Sequence, residues 1–164
     1  MAELYLIRHA IADEPGEKWP DDAKRPLTAE GISRMRKAAR GLVRLGVHVD
    51  VVLASPLVRA RQTAEIVAAA FDQRPPIVTA TSLAPGGEYA DLLDDLRKHA
   101  KRAHIALVGH EPGMGELAAR LVGSRRRFEF KKGAVCRIDV ASIPPERPGS
   151  VRWFVTPAIL RAIK

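Results

Sequence analysis

Three short stretches carry residue types that could move a phosphoryl group: Arg8-His9, Ser55-Pro56-Leu57-Val58-Arg59 and Gly109-His110-Glu111-Pro112. A phosphate needs several donors around its oxygens. Arginine offers a planar fork for that purpose, and a helix start adds unpaired N–H groups and the positive end of a dipole. Arg8 and Arg59 meet this description. Histidine can attack phosphorus itself, because a neutral imidazole nitrogen is nucleophilic near neutral pH and the resulting phosphohistidine passes its phosphoryl group on to water. His9, beside Arg8, suits the nucleophile. His110 suits a donor that stabilises a phosphoryl oxygen during transfer. Each also has an ordinary reading when taken singly: a histidine at a strand end can be structural, and Arg59 can pair with a surface carboxylate.

These groups lie far apart along the chain, so the elements must gather them. Leu4-Tyr5-Leu6-Ile7, Val49 to Ala54 and Ile105 to Val108 are short apolar runs of the kind buried strands make, and each ends at one of the three stretches. Ile77 to Ala80 is a weaker strand, and Val135 to Val140 and Val151 to Val155 are strand-like around the loop Pro144 to Gly149. Thr28 caps a helix whose Ile32, Met35, Ala39, Leu42 and Leu45 recur at helical spacing. Ser55-Pro56 supplies a cap and a first-turn proline for a second helix, on which Arg59 shares a face with Thr63 and Ile66 and points inward. Glu88 to Ala100 and a segment starting at Pro112 complete the helices, and Asp13 to Pro26 reads as a loop or lid. Strands alternating with amphipathic helices predict one α/β domain over residues 1–164, a three-layer αβα arrangement around a mostly parallel sheet. Ligands in such sheets bind beyond the carboxyl ends of the strands, where all three stretches fall.

Composition narrows the partners. The 164 residues are 46% hydrophobic and 28% charged, as in an ordinary globular domain, and 27 Lys+Arg against 19 Asp+Glu leave a net charge of +8 that favours anionic partners. The single cysteine, Cys136, excludes an intrachain disulfide and reads as a small core residue; a reducing, cytoplasmic location is expected. Neither a signal peptide nor a membrane span is indicated. No spacing suggests a metal site, a cofactor-binding loop or a thiol phosphatase. Arg125-Arg126-Arg127 with Lys131-Lys132 and the flanking Phe128 and Phe130 could bind RNA, polyphosphate or an acidic protein face, or form a solvated loop. No specific nucleic-acid partner is expected, and the chain is expected to be a monomer.

Leu6-Ile7-Arg8-His9-Ala10 resembles the RHG signature of the histidine phosphatase superfamily, the phosphoglycerate mutase-like proteins. Ser55 to Ala64 resembles its SPLxRAxQTA block, and Val108 to Pro112 its second-histidine block. With Arg25-Pro26-Leu27-Thr28-Ala29-Glu30-Gly31, these match the small branch of SixA-type phosphohistidine phosphatases, in order from residue 4 to about residue 115. The resemblance implies that His9 is phosphorylated, that Arg8 and Arg59 hold the phosphoryl oxygens, that His110 completes the pocket, that Arg25 reaches in from its loop, and that no metal takes part. Ala10 departs from the usual glycine and would be strained at positive φ. Many members of the superfamily protonate an alkoxide with a carboxylate. Glu88 and Glu111 are the candidates here, and each could instead be an acid that favours a helix N-terminus.

The expected function is therefore a phosphatase working through phosphohistidine, with a phosphohistidine-bearing protein as favoured substrate. The alternatives are a small-molecule phosphomonoesterase, acting on a sugar phosphate or nucleotide, and a non-catalytic phosphate or polyanion binder. Mutase activity is disfavoured, because the chain has little inserted sequence to enclose and reorient a substrate.

Overall fold

The computed structural model describes residues 1–164. Six strands, β1 (Ala2–Arg8), β2 (Val51–Ala54), β3 (Ile77–Thr79), β4 (His104–Gly109), β5 (Val135–Val140) and β6 (Ser150–Val155), form one sheet in the order β3-β2-β4-β1-β5-β6. Neighbours from β3 to β1 pair in parallel, whereas β5 runs antiparallel to both β1 and β6. The sheet is thus mixed, its parallel part carrying the three stretches singled out above.

Side chains alternate across the pleat and divide the core in two. Leu4, Leu6, Leu53 and Leu107 pack on one face against Leu92 and Leu96 of α3 (Tyr89–Arg97) and Met114, Leu117 and Leu121 of α4 (Gly113–Val122). Tyr5, Ile7, Val52 and Val108 pack on the other. They meet Met35 and Leu42 of α1 (Ala29–Arg44), Ala60, Ala64 and Val67 of α2 (Val58–Ala70), and Leu160 of α5 (Pro157–Ala162). This gives the αβα layering. Each fully buried leucine or isoleucine contributes on the order of 1.5–3 kcal/mol relative to exposure.

Local signals explain most boundaries. Thr28 caps α1 by accepting from the Gly31 N–H at 2.9 Å, an interaction that typically contributes about 1 kcal/mol. Gly123, at φ +71°, ends α4 in the left-handed conformation that glycine adopts freely. Two expectations need correction. Ser55 is not the cap of α2: the helix begins at Val58 with Leu57 as its flanking residue, and the Ser55 hydroxyl is turned to other partners. Pro112 flanks α4 and is not its first residue. The sequence analysis also missed α5, whose six residues include one buried side chain, Leu160.

No helix is long and apolar enough to cross a membrane. Cys136 is fully buried opposite Leu6, and burial pushes its thiol up to about 12. Of the aromatic residues beside the basic run, Phe130 is buried against Phe154, which removes it as an open stacking platform.

Candidate active site

Sheet register brings the chemistry together. Arg8 is the partner of Gly109 and Ala54 that of Val108, so the chain leaves β1, β4 and β2 at one level. The ladder continues one step further, with the His9 N–H donating to Gly109 O and the Ser55 N–H to Val108 O, both at 3.0 Å. His9, His110 and Ser55 therefore emerge side by side. The two imidazoles face each other with ring centroids 5.2 Å apart, inclined at 54°.

The tautomer of His9 follows from its partner. Nδ1 lies 2.7 Å from Ala10 O, and a carbonyl can only accept, so Nδ1 carries the proton and Nε2 keeps its lone pair. A second clamp fixes the same turn: the Ala10 N–H donates to Thr63 Oγ1 at 3.0 Å, while that hydroxyl donates to Arg59 O at 2.8 Å. One buried threonine thus ties the residue after the nucleophile candidate to the first turn of α2. Ala10 is buried and is not among the residues with positive φ, so alanine sits here without the backbone strain its replacement of glycine could have brought.

His110 Nε2 lies 2.7 Å from Ser55 Oγ, and that hydroxyl also accepts from the Leu57 N–H at 3.2 Å. Arg59 is 4% exposed. Its two terminal nitrogens donate to the Asp22 carbonyl at 2.9 Å and the Asp22 carboxylate at 3.0 Å. Arg25 donates through Nε to the other Asp22 oxygen at 2.9 Å and through Nη1 to Asp13 O at 2.7 Å. Asp22 begins a short 3₁₀ turn, Asp22–Lys24, in the loop before α1, and its carboxylate joins the two guanidinium groups. These bonds hold its carboxyl below the usual carboxylate range, the Arg25 bond contributing most. Arg8 donates to Phe130 O at 2.8 Å.

Three buried side-chain nitrogens find no hydrogen-bond partner in the protein: Arg8 Nε, Arg59 Nε and His110 Nδ1. All belong to residues singled out from the sequence. A buried unpaired polar group costs on the order of 1–3 kcal/mol, so these three nitrogens are ones that a polar ligand could satisfy. Both imidazoles are held neutral. Burial, the facing ring and the arginines bring His9 down to about 3, the Ala10 bond opposing them, and burial with Arg59 brings His110 down to about 4.

Neutral burial of the imidazoles has a consequence for stability. The unfolded chain takes up protons on these residues below about pH 6.5, while the folded chain does not until about 4 and 3, so stability falls as the pH drops through that window. Each imidazole contributes up to about 1.4 kcal/mol per pH unit. Denaturant midpoints at pH 5 and pH 7 should differ markedly for the wild type and much less for a His9→Asn, His110→Asn double variant.

The two carboxylate candidates separate. Glu111 accepts from the Gly115 N–H at 2.7 Å and the Phe130 N–H at 3.4 Å, so it braces the start of α4 against the 128–130 loop. Glycine is required at 115, because a Cβ would lie 1.8 Å from Phe128 O. Glu88 is exposed and caps nothing with its side chain. It lines a cavity of about 380 Å³ that also reaches His110, walled by Pro85-Gly86-Gly87 and floored by Leu83, Leu92 and Met114. The sequence analysis missed Asp22 and the pairing role of Ser55; only the position of Ser55 beside Arg59 in the second block hinted at the latter.

The chain is similar to known proteins in sequence and in fold. Residues 4–84 match the family model for the histidine phosphatase superfamily, branch 1. The phosphohistidine phosphatase SixA of Escherichia coli (strain K12) is 25% identical over 164 residues, covering 99% of this chain and 98% of that protein. A solved structure of the protein histidine phosphatase SixA complexed with tungstate superposes with a TM-score of 0.84 at 25% identity, over 96% of this chain and 99% of the other. A putative alpha-ribazole-5'-P phosphatase from Escherichia coli K-12 shares the fold at a TM-score of 0.67 and 20% identity, covering all of both chains.

Proposed function

Because this chain belongs to the histidine phosphatase superfamily, in its SixA-type branch, we propose that it is a metal-independent phosphatase that removes phosphoryl groups from phosphohistidine on a partner protein. The observation that carries the reading is the set of orphaned nitrogens on Arg8, Arg59 and His110 beside an imidazole whose Nε2 lone pair is free. In the first step His9 Nε2 attacks phosphorus in line, a P–N bond forms, and the bond to the leaving group breaks with its electron pair going to that group. The arginines offset charge on the equatorial oxygens. If the Ser55 hydroxyl donates to His110 Nε2, the proton of that ring stands on Nδ1, ready for a phosphoryl oxygen. In the second step water attacks the phosphohistidine, its proton passes to solvent, and inorganic phosphate leaves with His9 neutral again.

The leaving group favours a P–N substrate. An imidazole departs far more readily than an alkoxide, and Glu111 is already committed to two backbone N–H groups. Glu88 is the carboxylate we assign as proton donor where an ester is cleaved, through the cavity it shares with His110. Glu88→Gln should then lower the ratio of ester to phosphohistidine turnover by about 10²-fold, a general-acid effect at the low end of the usual range. A small phosphate ester is the second reading, supported by that same cavity and by the alpha-ribazole-5'-P relative. The deciding experiment compares kcat/KM on a histidine-phosphorylated protein with a panel of phosphate esters in excess EDTA. Preference for the esters, or loss of turnover in EDTA, would defeat the proposal.

A further inference from the structure

Beside the catalytic pair lies a second cavity of about 400 Å³ that shares only Arg8 with the residues of the mechanism. It is lined by Ala10 and Ile11 leaving β1, by Arg34 of α1, by Lys131 and Lys132, and by Arg161 of α5, with no acidic side chain among its walls. Arg34 pairs with Glu30 along its own helix. Lys131, Lys132 and Arg161 make no ion pair, although nine pairs between a lysine or arginine and a carboxylate form elsewhere in the chain. Unpaired cations crowded round one concavity repel each other and attract anions.

Position makes this more than a basic surface. The Gly133 N–H donates to both Arg8 O and His9 O at 3.1 Å, and Gly133 adopts φ +81°, so the Lys131-Lys132-Gly133 turn is pinned to the backbone of the nucleophile candidate. His9, His110 and Arg59 do not line the cavity but Arg8 does, so it adjoins the phosphoryl pocket through that one arginine. A small ester carries no flanking chain with which to engage these cations. A protein that presents a phosphohistidine must instead lay the residues around it across this edge of the molecule.

We infer that the cavity is a docking site for acidic side chains flanking the phosphohistidine of the partner protein, with Lys131, Lys132 and Arg161 as its specificity determinants. The inference rests on the phosphohistidine-protein reading and adds the chemistry by which the partner is chosen. Three long-range pairs of this kind steer encounter and hold register more than they touch the reacting atoms.

The test uses the full-length protein and its Lys131→Ser, Lys132→Ser, Arg161→Ser triple variant. Substrates are free phosphohistidine, a histidine-phosphorylated protein with several Asp or Glu residues around the modified histidine, and the same protein with those acids changed to Asn or Gln. The triple variant should lose about tenfold in kcat/KM on the acidic protein, through KM and with kcat kept, and should show a weaker salt dependence. Free phosphohistidine and the neutralised protein should be turned over alike by both enzymes. If the wild type hydrolyses both phosphohistidine substrates but the variant keeps its KM and salt dependence on the acidic protein, the docking inference falls alone. A wild type inert on every phosphohistidine substrate removes the substrate reading and this inference with it. Loss of single-stranded RNA binding by the variant, with KM on the acidic protein unchanged, would make the face a nucleic-acid site and overturn the inference too.

Discussion

His9→Ala should retain the fold and lose turnover by about 10⁴-fold or more, because removing a nucleophile eliminates the covalent route altogether. The accompanying measurement is chemical trapping. Wild type quenched during turnover of a labelled substrate should carry acid-labile, alkali-stable phosphate on one histidine, and His9→Ala should carry none. The expectation rests on the Nδ1 bond to Ala10 O, which leaves Nε2 as the reactive atom, and on a site that keeps the ring neutral down to about pH 3. Label appearing on His110 in the variant would reverse the assignment of the two rings. A fully active His9→Ala would remove the covalent mechanism, and an inert wild type that still binds phosphate tightly would favour the non-catalytic binder.

Arg59→Ala should lower kcat/KM by about 10²–10³-fold, the usual cost of removing one donor from a developing oxyanion. Its effect should exceed that of Arg25→Ala. Arg59 is 4% exposed and keeps an unpartnered Nε, whereas neither buried orphan donor nor comparable burial marks Arg25. Arg59→Lys restores charge without the fork and should recover only part of the loss. Equal losses for Arg25→Ala and Arg59→Ala would show that the loop arginine shares the phosphoryl group on equal terms. A negligible loss at Arg59 would return it to the role of a residue paired with a carboxylate.

Legibility in the sequence tracked how local each cause was. β1, β2 and β4 were readable because parallel strands buried on both faces are continuous apolar runs, and α1 because Thr28 and its periodic face declare it. That these strands lie next to one another, which is what gathers His9, Ser55 and His110, depended on the general rule for open α/β sheets. α5 escaped because six residues with one buried side chain give no period, although Thr156-Pro157 spelled out a start. Ser55 was misread because a serine before a proline resembles a cap, and its actual partner lies 55 residues away. Asp22 had no signature at all: one carboxylate in a polar loop becomes important only when that loop folds over α2.

That carboxylate gives the pocket a threshold. With Asp22 holding both terminal nitrogens of Arg59, part of that guanidinium's charge is offset in advance, and its Nε is the nitrogen left for an arriving anion. Against that offset, a dianionic phosphoryl group is drawn more strongly than a monocarboxylate, because it brings more charge and more acceptor oxygens.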